Sequence, residues 1–175
     1  MVQQLIPASA AELFAHAFAI EREALLRYHE LADWMQDLGI ERVESVFRKL
    51  EQSERAHLRA LERGAAGLEL PEVSPWQYAW YFTSPPATME LTFPLMPQTP
   101  CDALALACVA ERRAEELFLA AASTIGDADG IKLAVEMALE EHQRVIEIEN
   151  ALRHEPDPRL DWESVFAAGE RDTYI

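Results

Sequence analysis

Four stretches of the sequence repeat apolar residues at helical spacing, and they form two pairs separated by a segment too rich in proline to be a helix. Phe14, Ala17, Phe18, Ala24, Leu25, Tyr28, Ala32 and Met35 make the first stripe. Val43, Phe47, Leu50, Leu58 and Leu61 make the second, and Leu104, Cys108, Ala114, Phe118 and Ala122 the third. Val135, Ala138, Leu139, Val145 and Ile146 make the fourth. The spacing predicts helices over 10–37, 40–63, 100–125 and 128–153. Their limits carry the expected punctuation: Ser9-Ala-Ala-Glu12 reads as a capping box, and Thr99-Pro100 as an N-cap with proline at the first helical position. Gly39, Gly64 and Gly126 read as C-terminal stops. At ~1.5 Å per residue each helix is roughly 36–42 Å long, a length suited to a bundle.

Short connections make each pair an antiparallel hairpin. The segment between the pairs, 65–99, together with Pro100 holds seven of the ten prolines. It also holds Trp76, Tyr78, Trp80, Tyr81, Phe82 and Phe93, aromatics suited to packing on the bundle or on a sister subunit. The fold class expected is therefore all-α, an antiparallel four-helix bundle with a long crossover between its second and third helices. A chain of 175 residues suits one such domain. The bundle is expected over 1–155. Pro156 and Pro158 open a tail over 156–175, with one short helix near 162–168.

Charge narrows the function classes. Thirty-one acidic residues against fifteen basic ones give a net charge of −16, which disfavours nucleic acid and anionic membrane as partners. The longest uncharged run, 73–89, is broken by Pro75, Pro85 and Pro86, and the N-terminus lacks the pattern of a signal peptide. A cytoplasmic protein is expected. Cys101 and Cys108 share one helical stripe and read as buried thiols rather than a disulfide framework.

Each helix breaks its own apolar pattern near its middle. Glu21 sits at the centre of the first stripe, Glu54 with His57 one turn on in the second, Glu111 in the third and His142 in the fourth. An isolated carboxylate in a core costs several kcal/mol unless it is paired or bound to a cation, and these stripes offer no Lys or Arg. Carboxylate oxygen and imidazole are natural ligands of divalent metals, so a metal is the expected partner. The two halves also echo each other: Ala19-Ile20-Glu21-Arg22-Glu23-Ala24 against Val109-Ala110-Glu111-Arg112-Arg113-Ala114, with Tyr28 and Phe118 each seven residues after the glutamate. One Glu from each of two helices and Glu-x-x-His from each of the others is the arrangement of a carboxylate di-metal bundle.

Over roughly residues 10–152 the chain resembles the rubrerythrin-like branch of the ferritin-like superfamily. The likeness rests on Glu21 with Tyr28, on Glu54-Arg55-Ala56-His57, on the 33-residue step from Glu21 to Glu54, and on Glu111. It implies a di-iron centre. Glu21 and His57 would hold one iron, Glu111 and His142 the other, and Glu54 would bridge them. The implied chemistry is reduction of peroxide or activation of oxygen through ferrous and ferric states. Tyr28 would serve near the metals as a hydrogen-bond donor or one-electron source.

Two departures matter. The paired CxxC motifs of a rubredoxin domain are missing, so an external electron donor is expected, and a homodimer by analogy. In the fourth helix, Leu139 of Leu139-Glu140-Glu141-His142 stands where a bridging glutamate belongs, with Glu115 as a possible stand-in. Three glutamates leave two divalent ions with one positive charge, so the second position is expected to bind weakly. The alternatives are a degenerate bundle with one metal or none, acting as a structural or interaction module, and an iron-storage subunit.

Overall fold

The computed structural model describes residues 6–73 and 99–155. Among these residues the fold is all-α, and the four expected helices are present: α1 over Ala10–Asp37, α2 over Glu41–Gly64, α3 over Pro100–Thr124 and α4 over Ala128–Leu152. The crossover expected over 65–99 and the tail over 156–175 fall, from 74 to 98 and from 156 onward, outside the described residues. No described helix is long and apolar enough to cross a membrane.

Local chemistry sets the helix ends. Ser9 accepts a hydrogen bond from the Glu12 amide, and the Glu12 carboxylate reaches back to the Ala8 amide at 2.8 Å. That is the expected box, closed one residue earlier. Thr99 Oγ1 caps α3 through the Asp102 amide, with Pro100 next in line, and Asp127 caps α4 through the Gly130 amide at 2.7 Å. Gly39 ends α1 with φ +70°, a left-handed conformation that costs other residues energy. Gly64 serves packing rather than stopping: it closes α2, and a Cβ there would lie 3.0 Å from the Phe14 ring.

The hairpins α1–α2 and α3–α4 meet along a core that is not continuous. One apolar cluster gathers Leu13, Phe14, Ile20, Leu61, Leu117, Phe118 and Met137. The other gathers Tyr28, Met35, Val43, Phe47, Leu50, Leu104 and Ile148. Between them, Glu21, Glu54, Glu111, Glu141 and Arg144 interrupt the four helices at about the same level, all buried.

The phase of α4 differs from the expectation. Its buried face carries Ala134, Met137, Ala138, Glu141, Arg144, Val145 and Ile148, while Val135, Leu139 and Ile146 are exposed, Leu139 by 64%. Ala134, Ala138, Glu141, Val145 and Ile148 follow a 4-3-4-3 spacing as regular as the stripe through Leu139, but with smaller side chains. The small alanines let α4 approach its neighbours, and the face turned inward is the one bearing a cation for the acidic residues opposite.

Glu23 is also buried on α1, and neither of its oxygens has a hydrogen-bond partner. Burial pushes its carboxyl up to about 7, with Arg27 pulling weakly the other way. The folded protein therefore keeps a proton that the unfolded chain has released. The stability this provides is full below about 4.5 and is lost as pH rises through about 7. Glu23→Gln should match the parent at pH 4 and exceed it by about 1–3 kcal/mol at pH 8 in urea denaturation. An equal effect at both pH values would contradict this assignment.

Candidate metal centre

The site is built at mid-length on all four helices, where helical periodicity turns polar residues of each toward the core. Tyr28 on α1 is fully buried, its ring stacked on Phe47 with centroids 6.1 Å apart, and its hydroxyl donates to Glu111 of α3. The other Glu111 oxygen accepts from Arg144 Nε at 2.6 Å. Arg144 spreads across the rest of the cluster. Its Nη2 pairs with Glu141 one turn back on α4 and lies 3.7 Å from Glu21 Oε1, while Nε lies 3.2 Å from Glu54 Oε1. Its Nη1 stands 2.8 Å from His57 Nδ1. A guanidinium only donates, so Nδ1 is the acceptor and the imidazole proton sits on Nε2, which faces Glu140 at 3.4 Å.

Four carboxyl groups thus surround one guanidinium, with exposures of 1% or less for the acids and 4% for the arginine. They cannot all be ionised cheaply in such a place. Burial and the neighbouring Glu21 charge push the Glu54 carboxyl well above the usual range, against the pull of Arg144. Burial, with Glu111 and Glu21, raises Glu141 in the same way, again against Arg144. Glu21 goes the other way: burial raises it, but the adjacent Glu54 carboxyl, Arg144 and His57 outweigh that and bring it to about 2. Arg144 is held well above its ordinary value because the four acids outweigh the cost of its burial.

Of the six residues expected at the centre, Glu21, Glu54, His57, Glu111 and Tyr28 come together and His142 does not. His142 is 54% exposed and pairs with Glu115 at 3.1 Å on the outside of the α3–α4 hairpin, so Glu115 is no stand-in either. Leu139 occupies no bridging position. At the level of the cluster α4 instead buries Glu141, and Arg144 stands where the second histidine was expected. The expectation of no neighbouring Lys or Arg is corrected with it. The available signal was the spacing Glu141-His142-Gln143-Arg144, which matches Glu54-Arg55-Ala56-His57 and lies on the 4-3-4-3 stripe.

The two halves of the centre differ in their fitness for a cation. Glu21, Glu54 and His57 bring one ligand atom each to within 4.8 Å of one another. All four oxygens of Glu21 and Glu54 are buried without a hydrogen-bond partner. Orphaned carboxylate oxygens beside an imidazole nitrogen are the donor set of a divalent metal site. The half made by Glu111 and Glu141 does not fit a second ion, because the Arg144 charge stands among the oxygens that would hold it.

The family model described as Rubrerythrin matches residues 12–97. Among solved structures, the crystal structure of an uncharacterized conserved protein from Magnetospirillum magnetotacticum MS-1 is similar, at 32% identity and a TM-score of 0.73. The match covers 86% of this chain and 97% of that one. No curated protein matches.

Arg144→Met keeps much of the bulk and removes the charge, leaving four facing carboxyls. It should destabilise the metal-free protein by about 3–5 kcal/mol near neutral pH. Carboxyls with raised folded values lose stability as pH rises, so the loss should be larger at pH 8 than at pH 5. Chemical denaturation at the two pH values measures it, and a pH-independent loss would mean that Arg144 acts through packing.

Proposed function

The chain belongs to the rubrerythrin family, and on that premise we propose that it is a metal-binding bundle holding a single divalent cation, iron in keeping with the family, through Glu21, Glu54 and His57. The observation that carries this reading is the set of four buried oxygens of Glu21 and Glu54 that lack a hydrogen-bond partner beside His57. Bound iron would supply one-electron exchange between its ferrous and ferric states.

The chain's own residues have defined tasks. Glu54 would have to give up its proton to hold a cation, since only the carboxylate is a ligand. His57, whose Nδ1 accepts from Arg144 Nη1 and whose Nε2–H is directed at Glu140, would have to give up the Arg144 contact to serve as a ligand. Tyr28 keeps its hydrogen bond to Glu111, which keeps Glu111 engaged with Arg144 rather than with the cation.

Peroxide reduction needs two electrons at one centre. Arg144 takes the space of the second ion that would hold one of them, so turnover of peroxide or oxygen would depend on an external donor supplying electrons singly. Metal binding is the function supported best. A second reading, a metal-free structural or interaction module, is favoured by one observation: Arg144 already engages Glu111, Glu141 and His57 together.

Elemental analysis of purified protein and anaerobic ferrous titration by equilibrium dialysis separate the two. One iron per chain is expected, with Glu54→Gln and His57→Ala each weakening binding by about tenfold to a hundredfold. Acid should weaken binding by roughly tenfold per pH unit below the raised Glu54 value, because one proton competes with the cation. No metal at any tested concentration would establish the second reading.

A further inference from the structure

The two Glu-x-x-basic motifs of the bundle face each other across the polar layer, and they are not equivalent. Glu54 is followed at the third position by His57, a ligand; Glu141 is followed at the third position by Arg144, which has no lone pair to offer a metal. Arg144 has only donors, five of them in a rigid plane. They engage Glu111 Oε2 and Glu141, and also reach His57 Nδ1. Glu111 is held from its other side by Tyr28. The two carboxylates that would hold an ion in this half are therefore bound to a charge that is part of α4.

We propose that Arg144 is a tethered cation standing in the place of the second metal, so that this centre admits one divalent ion and excludes another. The inference rests on the one-cation reading above and adds the residue that sets its stoichiometry. Guanidinium and metal are mutually exclusive here because they use the same oxygens of Glu111 and Glu141. They also carry charge of the same sign, so repulsion is strongest for an ion placed among the oxygens of Glu111 and Glu141 that the guanidinium contacts most closely. Glu21 and Glu54 are held more loosely: Arg144 lies within ion-pair distance of their nearest oxygens, at 3.7 Å and 3.2 Å, but without a hydrogen bond to either, so an ion there has only the His57 Nδ1 contact to displace.

The test is a Co²⁺ titration of the full chain and its Arg144→His variant, read by equilibrium dialysis and by visible absorption of the bound ion. Arg144→His completes a second Glu-x-x-His with Glu141 and removes the fixed charge. Bound cobalt should rise from about one ion per chain in the parent to about two in the variant. The metal-induced rise in melting temperature should also be larger in the variant, whose metal-free state lacks the neutralising charge.

A parent that binds two ions, or a folded Arg144→His that binds no more than the parent, overturns the proposal. Arg144→Lys guards against failure to fold, since it retains a tethered positive charge. It should keep the parent's count, and a rise to two would also overturn the proposal. The two readings fail separately. A parent binding none while Arg144→His gains ions removes the one-cation reading and leaves Arg144 as the excluding charge. One ion in both proteins does the reverse.

Discussion

Four carboxyl groups buried at one level of an apolar bundle are the constraint to which the rest of the molecule answers. Such a cluster is tolerable only if protons, hydrogen bonds and a cation share its charge, and each device is present. Glu54 and Glu141 hold their protons far above the usual range, the Tyr28 hydroxyl donates to Glu111, and Arg144 reaches all four acids. The orientation of α4 follows from the same requirement. With Leu139 and Val135 turned inward, the Arg144 guanidinium would point to solvent and the acids of the other helices would face each other. An uncompensated buried charge costs more than a few exposed aliphatic side chains gain.

The polar layer also divides the hydrophobic core. Leu13, Phe14, Phe118 and Met137 pack on one side, and Tyr28, Phe47, Leu104 and Ile148 on the other. The bundle is thus two apolar blocks joined by a charged floor. The two hairpins contribute to that floor unequally. The α1–α2 hairpin brings Glu21, Glu54 and His57 with all four carboxyl oxygens lacking a hydrogen bond; the α3–α4 hairpin brings Glu111, Glu141 and Arg144 bonded among themselves, with only Glu141 Oε1 left open. A centre whose sequence echo suggests two equivalent halves is asymmetric in its chemistry.

The helices were legible in the sequence because their signals are local and redundant. Ser9, Thr99 and Gly39 mark ends that apolar spacing had already implied, and the structure agrees to within a few residues at every boundary. Glu21, Glu54 and Glu111 were legible for a different reason: each stands alone in a stripe that is otherwise apolar, so the phase of its helix is not in question. On α4 two stripes compete, one through Leu139 and His142, the other through Ala138 and Glu141. Counting apolar bulk selects the first. The second prevails because of a partner on other helices, and a long-range charge requirement leaves no trace in the periodicity of a single segment. Arg144 was hidden by the same fact. Read as a member of an exposed face, it looks like one more solvated arginine.

A covalently attached cation differs from a diffusible one in a way that reaches beyond stoichiometry. The local concentration of a guanidinium on α4 is fixed by the length of the chain and not by the contents of the surrounding solution. A bundle whose acids depended wholly on captured ions would lose its folded form whenever those ions ran short, since its stability would follow their concentration by mass action. Here part of the neutralising charge is synthesised with the polypeptide. The fold would thereby be uncoupled from metal supply, and occupancy of the position proposed at Glu21, Glu54 and His57 could vary with conditions without the architecture being at stake.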